Sequence, residues 1–177
     1  PFSAIELNDT KVHTIDQKEK SKPMVIPISI GLLDENGEDL IDTTVFELNK
    51  PKDTVTFHGI HKKPTVSLLR NFSAPVTIER GLSEKDRLIL LEKDSDPYNR
   101  WDSAQQLMLT SFEKIAIEQR EPSNDLLEAF CNVMQDKKLM PAFRAQLLSQ
   151  PSISEIITHF FERNSSWISE RNSARIS

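Results

Sequence analysis

Glycine is scarce in this chain of 177 residues, which holds only 4, where average usage of roughly 7% would give about a dozen. All four (Gly31, Gly37, Gly59 and Gly81) lie before position 82, and no two are closer than Gly31 and Gly37. A P-loop and a dinucleotide fingerprint both need glycines at short fixed spacing, so that backbone can approach phosphate. Both motifs are therefore excluded. Cysteine is scarcer still: Cys131 stands alone, which permits no internal disulfide and is the usage expected of a reducing compartment, so the expected location is cytoplasmic. Long apolar runs are also missing. None approaches the roughly 20 residues that span a bilayer, and no basic start with an apolar stretch opens the chain, so no membrane partner is expected. Positive charge is short as well, 22 basic against 27 acidic side chains for a net charge of −5. That leaves no footprint for a polyanion and no expectation of nucleic acid. The chain opens at Pro1 rather than at methionine, which reads as a segment of a longer protein or a trimmed chain.

What is present is divided unevenly. Residues 1–81 hold 22 Val, Ile and Thr against 11 in the longer remainder, and six of the ten prolines. β-branched side chains suit a pleated, half-buried surface, and Gly, Pro and Asn punctuate short strands. Met24, Ile26, Ile28 and Ile30 alternate with Val25, Pro27, Ser29 and Gly31 and stop at Asp34-Glu35-Asn36-Gly37. Asn-Gly is a type I′ turn signal, because both central residues of that turn need positive φ. Val45–Leu48 is the expected return strand, with further strands at Thr54–Phe57, Val66–Arg70 and Val76–Glu79. Short strands without intervening helices predict an antiparallel, immunoglobulin-like β-sandwich over residues 1–81.

From Leu82 the period becomes helical. Ser83-Glu84-Lys85-Asp86 has the capping pattern, and Asp96-Pro97 supplies an N-cap followed by a residue that loses no hydrogen bond there. Trp101, Ala104, Met108, Phe112 and Ile115 form one apolar stripe. Pro122 breaks the chain. Leu126, Phe130, Val133 and Met134 make a third stripe, Phe143, Leu147 and Leu148 a fourth, and Ser152-Ile153-Ser154-Glu155 caps a fifth with Ile156, Ile157, Phe160 and Phe161. Ser165–Ser177 reads as a sixth helix. Residues 82–177 are thus expected to be all-α, a helical repeat of paired helices in a solenoid, although no fixed-period sequence repeat occurs.

Catalytic chemistry is sparse. A zinc hydrolase places two histidines at i and i+4 on one helix beside a glutamate, and that motif is absent. His58-Gly59-Ile60-His61 has i, i+3 spacing in a β/turn region and reads as an exposed turn. His13 is expected at the surface and His159 at a helix boundary. Cys131 follows Phe130 on the apolar side of a helix and is expected to be a buried, inert thiol. No Gly-x-Ser-x-Gly elbow occurs. The acid pairs Asp94/Asp96 and Glu118/Glu121 read as solvated helix ends. Sequons at Asn8, Asn71 and Asn164 carry little without a secretory signal.

Three stretches are more specific. They are Lys22-Pro23-Met24-Val25-Ile26-Pro27-Ile28 leading to Gly31-Leu32-Leu33-Asp34, then Ser67-Leu68-Leu69-Arg70-Asn71-Phe72-Ser73-Ala74-Pro75-Val76, then Asn99-Arg100-Trp101-Asp102-Ser103-Ala104-Gln105. In this order and spacing the chain, over roughly residues 20–177, resembles the bacterial aminopeptidase N (alanyl aminopeptidase) family of zinc gluzincin peptidases. The resemblance implies a four-domain parent that releases N-terminal residues from peptides. Residues 1–81 would be its small β-sandwich and 82–177 the opening of its C-terminal helical domain, truncated on its C-terminal side. The zinc would sit in a catalytic domain upstream of Pro1. The family's His-Glu-x-x-His, its third glutamate ligand and its Gly-x-Met-Glu-Asn motif match no position here, so no catalytic residue, metal ligand or cofactor is expected within the segment. Its partners would be the remaining domains of the parent and, through them, peptide substrates. Arg70, Phe72 and Pro75 are the candidate interdomain-contact residues, with packing of the sandwich edge as the other reading. A free-standing adaptor that binds a protein partner is the alternative to a peptidase segment.

Overall fold

The computed structural model describes residues 2–8, 25–50, 52–76, 78 and 81–174. His13, Met24, Thr77 and Glu79 lie outside them. The chain divides into two compact units, residues 1–100 and 101–177.

In the first unit β1 (Phe2–Asn8) pairs antiparallel with β4 (Lys52–Ile60). A second sheet, in the order β3-β2-β5, is built from β2 (Ile26–Leu33), β3 (Thr44–Leu48) and β5 (Thr65–Leu68), again antiparallel. The core follows from the alternation in β2: Ile26, Ile28, Ile30 and Leu32 form one buried cluster with Leu48, Ile60, Leu68 and Leu69, against which Phe46, Val55 and Phe57 pack. Alternation fails in the second half of β2, where Ser29, Gly31 and Leu33 are buried as well. The reason is local cover. Ser73 Oγ accepts from the Ser29 amide at 3.0 Å, and the Arg70 guanidinium lies across Gly31.

Several strand limits differ from expectation for identifiable reasons. At Asp34–Gly37 only Gly37 is left-handed, with φ 83, so the turn is not type I′. The Asp34 carboxylate instead accepts the amides of Asn36 and Glu38 at 2.8 and 2.9 Å and sets a different turn. β4 runs on through His58 to Ile60 rather than turning at His58. Phe2 faces Ile60 while Ala4 faces Thr56, so β4 carries a bulge, and Gly59 at φ 79 accommodates it. β5 stops at Leu68, two residues early, because Leu69 is left-handed at φ 58. Val76 and Ile78 pack on the core without strand structure.

Helix α1 (Glu84–Lys93) begins with the expected capping box: Ser83 Oγ accepts from the Asp86 amide and Asp86 Oδ2 from the Ser83 amide, both at 3.1 Å. Its Leu90 and Leu91 are fully buried. Helix α2 (Pro97–Glu113) begins behind Asp96 as its spelling predicts.

Within the second unit α2 buries Ser103, Ala104, Gln105, Leu107, Met108 and Leu109, then widens into a π-type turn over Lys114–Glu118 that ends at left-handed Gln119. The wider turn rotates the following residues off the stripe, and Ile115 is exposed. Helix α3 (Asn124–Gln135), capped by Ser123, buries Leu126, Ala129 and Val133. The buried arc thus centres on Ala129 and Val133, not on Phe130 and Met134. Cys131 and Met134 consequently face solvent, which overturns the expectation of a buried thiol. Helix α4 (Pro141–Leu147) follows, and Gln105 donates to the Ser149 carbonyl at 3.0 Å. Helix α5 (Ile153–Ala174) has the expected Ser152/Glu155 cap. It continues through Ser165, so the expected sixth helix is its second half. With no Gly or Pro after Pro151, nothing stops it. His159 Nε2 lies 3.2 Å from Glu113 Oε2, near the boundary position expected for it.

Candidate functional site

The densest polar constellation among the described residues lies in the first unit, where the turn after β5 meets the segment between α1 and α2. Its centre is Arg70, 3% exposed. The side chain can lie flat over β2 only because position 31 is glycine: a Cβ there would sit 2.1 Å from Arg70 Cζ. Arg70 Nη2 donates to Asp39 Oδ1 at 2.6 Å and to Asp94 Oδ1 at 3.0 Å. Its Nε donates to Ser67 Oγ at 2.9 Å and Nη1 to Thr43 Oγ1 at 3.1 Å.

Around the guanidinium the acceptors are used thoroughly. Ser67 Oγ donates to Asp94 Oδ2 at 2.6 Å while accepting from Arg70 and from Asn99 Nδ2, which fills a hydroxyl's one donor and two acceptor sites. Asp94 also accepts the Asp96 amide at 3.0 Å. Asp96 works in two directions. One oxygen accepts the Asn99 amide and side chain at 2.8 and 3.0 Å and so caps α2, while the other accepts the Asn71 amide at 2.7 Å. The last bond holds a turn in which Leu69, Asn71 and Phe72 have φ of 58, 56 and 54. Non-glycine residues in that region each cost roughly 1–3 kcal/mol and persist only where their surroundings over-determine them.

Burial pushes the Asp94 carboxyl above the usual aspartate value, against the opposing pull of the Ser67 hydroxyl, the Asp96 amide and Arg70, while the nearby Asp96 adds repulsion. Asp94 and Asp96 are 2% and 5% exposed, so the reading of this pair as a solvated helix end is corrected. Their burial depends on Arg70 and Asn71, more than twenty residues upstream, and no local pattern announces that. Glu118 and Glu121 are exposed, as read.

Of the three candidate contact residues, Arg70 is consumed inside this network, whereas Phe72 is 58% exposed and Pro75 is exposed. Phe72 packs edge-on against Tyr98, with ring centroids 5.1 Å apart. The arrangement can hold backbone in place. Its carboxylate oxygens are all engaged by donors. Among the described residues no three His, Cys, Asp or Glu side chains are placed to hold a metal ion. His58 is exposed on a strand, so the residues here do not fit the zinc that the resemblance implies for the parent.

The class defined by this architecture is an immunoglobulin-like sandwich followed by helical repeats. Two family models match it: DUF3458, a domain of unknown function with an Ig-like fold, over residues 3–81, and DUF3458_C, a domain of unknown function made of ARM repeats, over residues 84–175. The second spans more than half of the chain, and the chain belongs to that family. It is similar to aminopeptidase N of Escherichia coli strain K12, 30% identical over 160 residues, which are 83% of this chain and 18% of that protein. Aminopeptidase N of Caulobacter vibrioides is 34% identical over 136 residues, 75% of this chain and 16% of that protein. Among solved structures, Legionella pneumophila aminopeptidase A in complex with aspartic acid superposes with a TM-score of 0.72 at 30% identity, covering 79% of this chain and 17% of that one. The resemblance read from the three stretches is thereby borne out, and the chain spans less than a fifth of the length of the relatives it matches. Two of those stretches meet in this network, where Asn99 Nδ2 donates to Ser67 Oγ at 3.1 Å.

Proposed function

We propose that this chain is a non-catalytic part of a zinc-dependent aminopeptidase that releases N-terminal amino acids from peptides. In this reading residues 1–81 are a sandwich domain and residues 82–177 belong to a helical domain, together bridging the catalytic and helical parts of a cytoplasmic parent enzyme. The observation that carries it is the match to aminopeptidase N along 83% of the chain. Zinc and the peptide site belong to other domains of the parent, which are this segment's partners. No helix among the described residues is long and apolar enough to cross a membrane. Phe72 and Pro75 are the side chains proposed to meet a neighbouring domain, and Arg70 acts there by holding the turn that carries them.

The test is an assay of the 177-residue chain on an alanyl chromogenic substrate with added zinc. No turnover is expected. Metal-dependent hydrolysis abolished by a chelator would overturn the claim that the segment lacks the site.

A further inference from the structure

The family models part between residues 81 and 84, yet the polar joint crosses that line. Helix α1 is tied to the β part at both ends. At its start Thr65 Oγ1 donates to Asp86 Oδ1 at 3.1 Å. At its end Asp94 is held by Ser67 and Arg70, Ser95 Oγ donates to Asp39 Oδ2 at 3.1 Å, and the turn at Gly37 approaches so closely that a Cβ there would lie 2.1 Å from Lys93 Cβ. Opening α1 alone would expose Arg70 to the loss of a buried carboxylate and would release the Asn71 amide from Asp96. Arg70 would keep Asp39, Ser67 and Thr43 but lose Asp94, and the Asn71 amide would lose its carboxylate acceptor. Removing a buried carboxylate acceptor leaves the donors it held short of a partner, which costs more than the net worth of each bond. We infer that the Asp94-Ser95-Asp96 joint makes β2, β5 and α1 a single cooperative opening unit, so that this part of the chain unfolds across the family boundary rather than at it. The inference stands apart from the proposed peptidase role.

The experiment is native-state hydrogen exchange on the full 177-residue chain in rising sub-denaturing urea. The slow amides of β2, β5 and α1 are expected to converge on one opening isotherm. If α1 opens at lower urea while β2 and β5 keep their protection, the inference is overturned. The unaltered chain suffices for that test, whatever the variants do. Asp94→Asn, which keeps the shape but replaces one of two accepting oxygens with an NH2 donor facing Ser67 or Arg70, should lower protection in β5 and α1 in parallel by roughly tenfold or more. Ser95→Ala, at an exposed position, should lower it far less. Loss confined to α1 in Asp94→Asn would likewise refute the joint.

Discussion

The two units differ in whether they bury charge. The first inters the charged Arg70, Asp94 and Asp96 with the polar Asn99 and Ser67, all nearly inaccessible and all bonded. The second buries no charged side chain among the described residues and leaves Leu127 and Met134 on α3 and Ile153, Ile157 and Phe161 on α5 exposed, as the first leaves Val25, Leu40, Val45 and Phe72. Positions 153, 157 and 161 lie four apart, one stripe of a helix. A sandwich has a closed core and can add a specific polar joint on top of it, whereas each helical repeat buries only what its neighbours cover. Single substitutions should therefore be far more consequential at the joint than along the exposed stripes.

Arg70→Met should have the largest effect. It strands Asp94 among apolar and polar neighbours and removes four donated bonds, at a cost of about 3–5 kcal/mol, measured as a fall in the urea midpoint by circular dichroism. Gly31→Ala comes next, at about 1–3 kcal/mol for forced overpacking. The sharper readout is the double variant with Arg70→Ala. Because the clash at position 31 is with the guanidinium, most of the Gly31→Ala cost should vanish when Arg70 is truncated. Simple additivity would show that the arginine does not lie there. Ser83→Ala removes one half of the capping box, with an expected loss of about 1 kcal/mol.

Acid titration probes the same cap. Partial burial of Asp86 opposes its ionisation, but the Ser83 hydroxyl and amide, the Thr65 hydroxyl and Lys63 outweigh it, and the carboxyl falls below the ordinary 3.8. The folded state thus binds this proton less tightly than the unfolded state does. Its contribution is fully present above 3.8 and is lost as pH falls through the lowered value. Asp94 runs the other way: with its value raised, it favours folding least once pH has climbed past that value. Asp86→Asn should flatten the acid limb of the urea midpoint against pH, and an unchanged limb would remove Asp86 from the account. Ile157→Ser, on the exposed stripe of α5, should be smallest, within about 0.5 kcal/mol. A loss as large as that of Arg70→Met would erase the contrast between the units.

Much of the scaffold could be read in advance because its signals are short-range. Ser83 with Asp86, Ser152 with Glu155 and Asp96 with Pro97 mark helix starts within four residues, and the isoleucines of β2 show their pleat directly. Failures came where a partner lies far along the chain or where a face had to be chosen. Phe130 and Met134 spell a plausible stripe, yet Ala129 and Val133 hold the centre of the buried arc, and Cys131 turned outward with that rotation. No local signal marks β1, whose partner β4 lies some fifty residues away in sequence.

The amino-acid order by itself determined the succession of a β part and a helical part, the caps that open the helices, the absence of nucleotide-binding and zinc-helix motifs, and the likeness to aminopeptidase N. Each of these is written in neighbouring residues. Only the tertiary structure decided that Asp94 and Asp96 are buried, that Gly31 is an arginine's resting place and that α1 is fastened to the sheet. Burial of a charge is set by what stands opposite it, and Arg70 and Asp39 stand there only once the chain has folded back on itself.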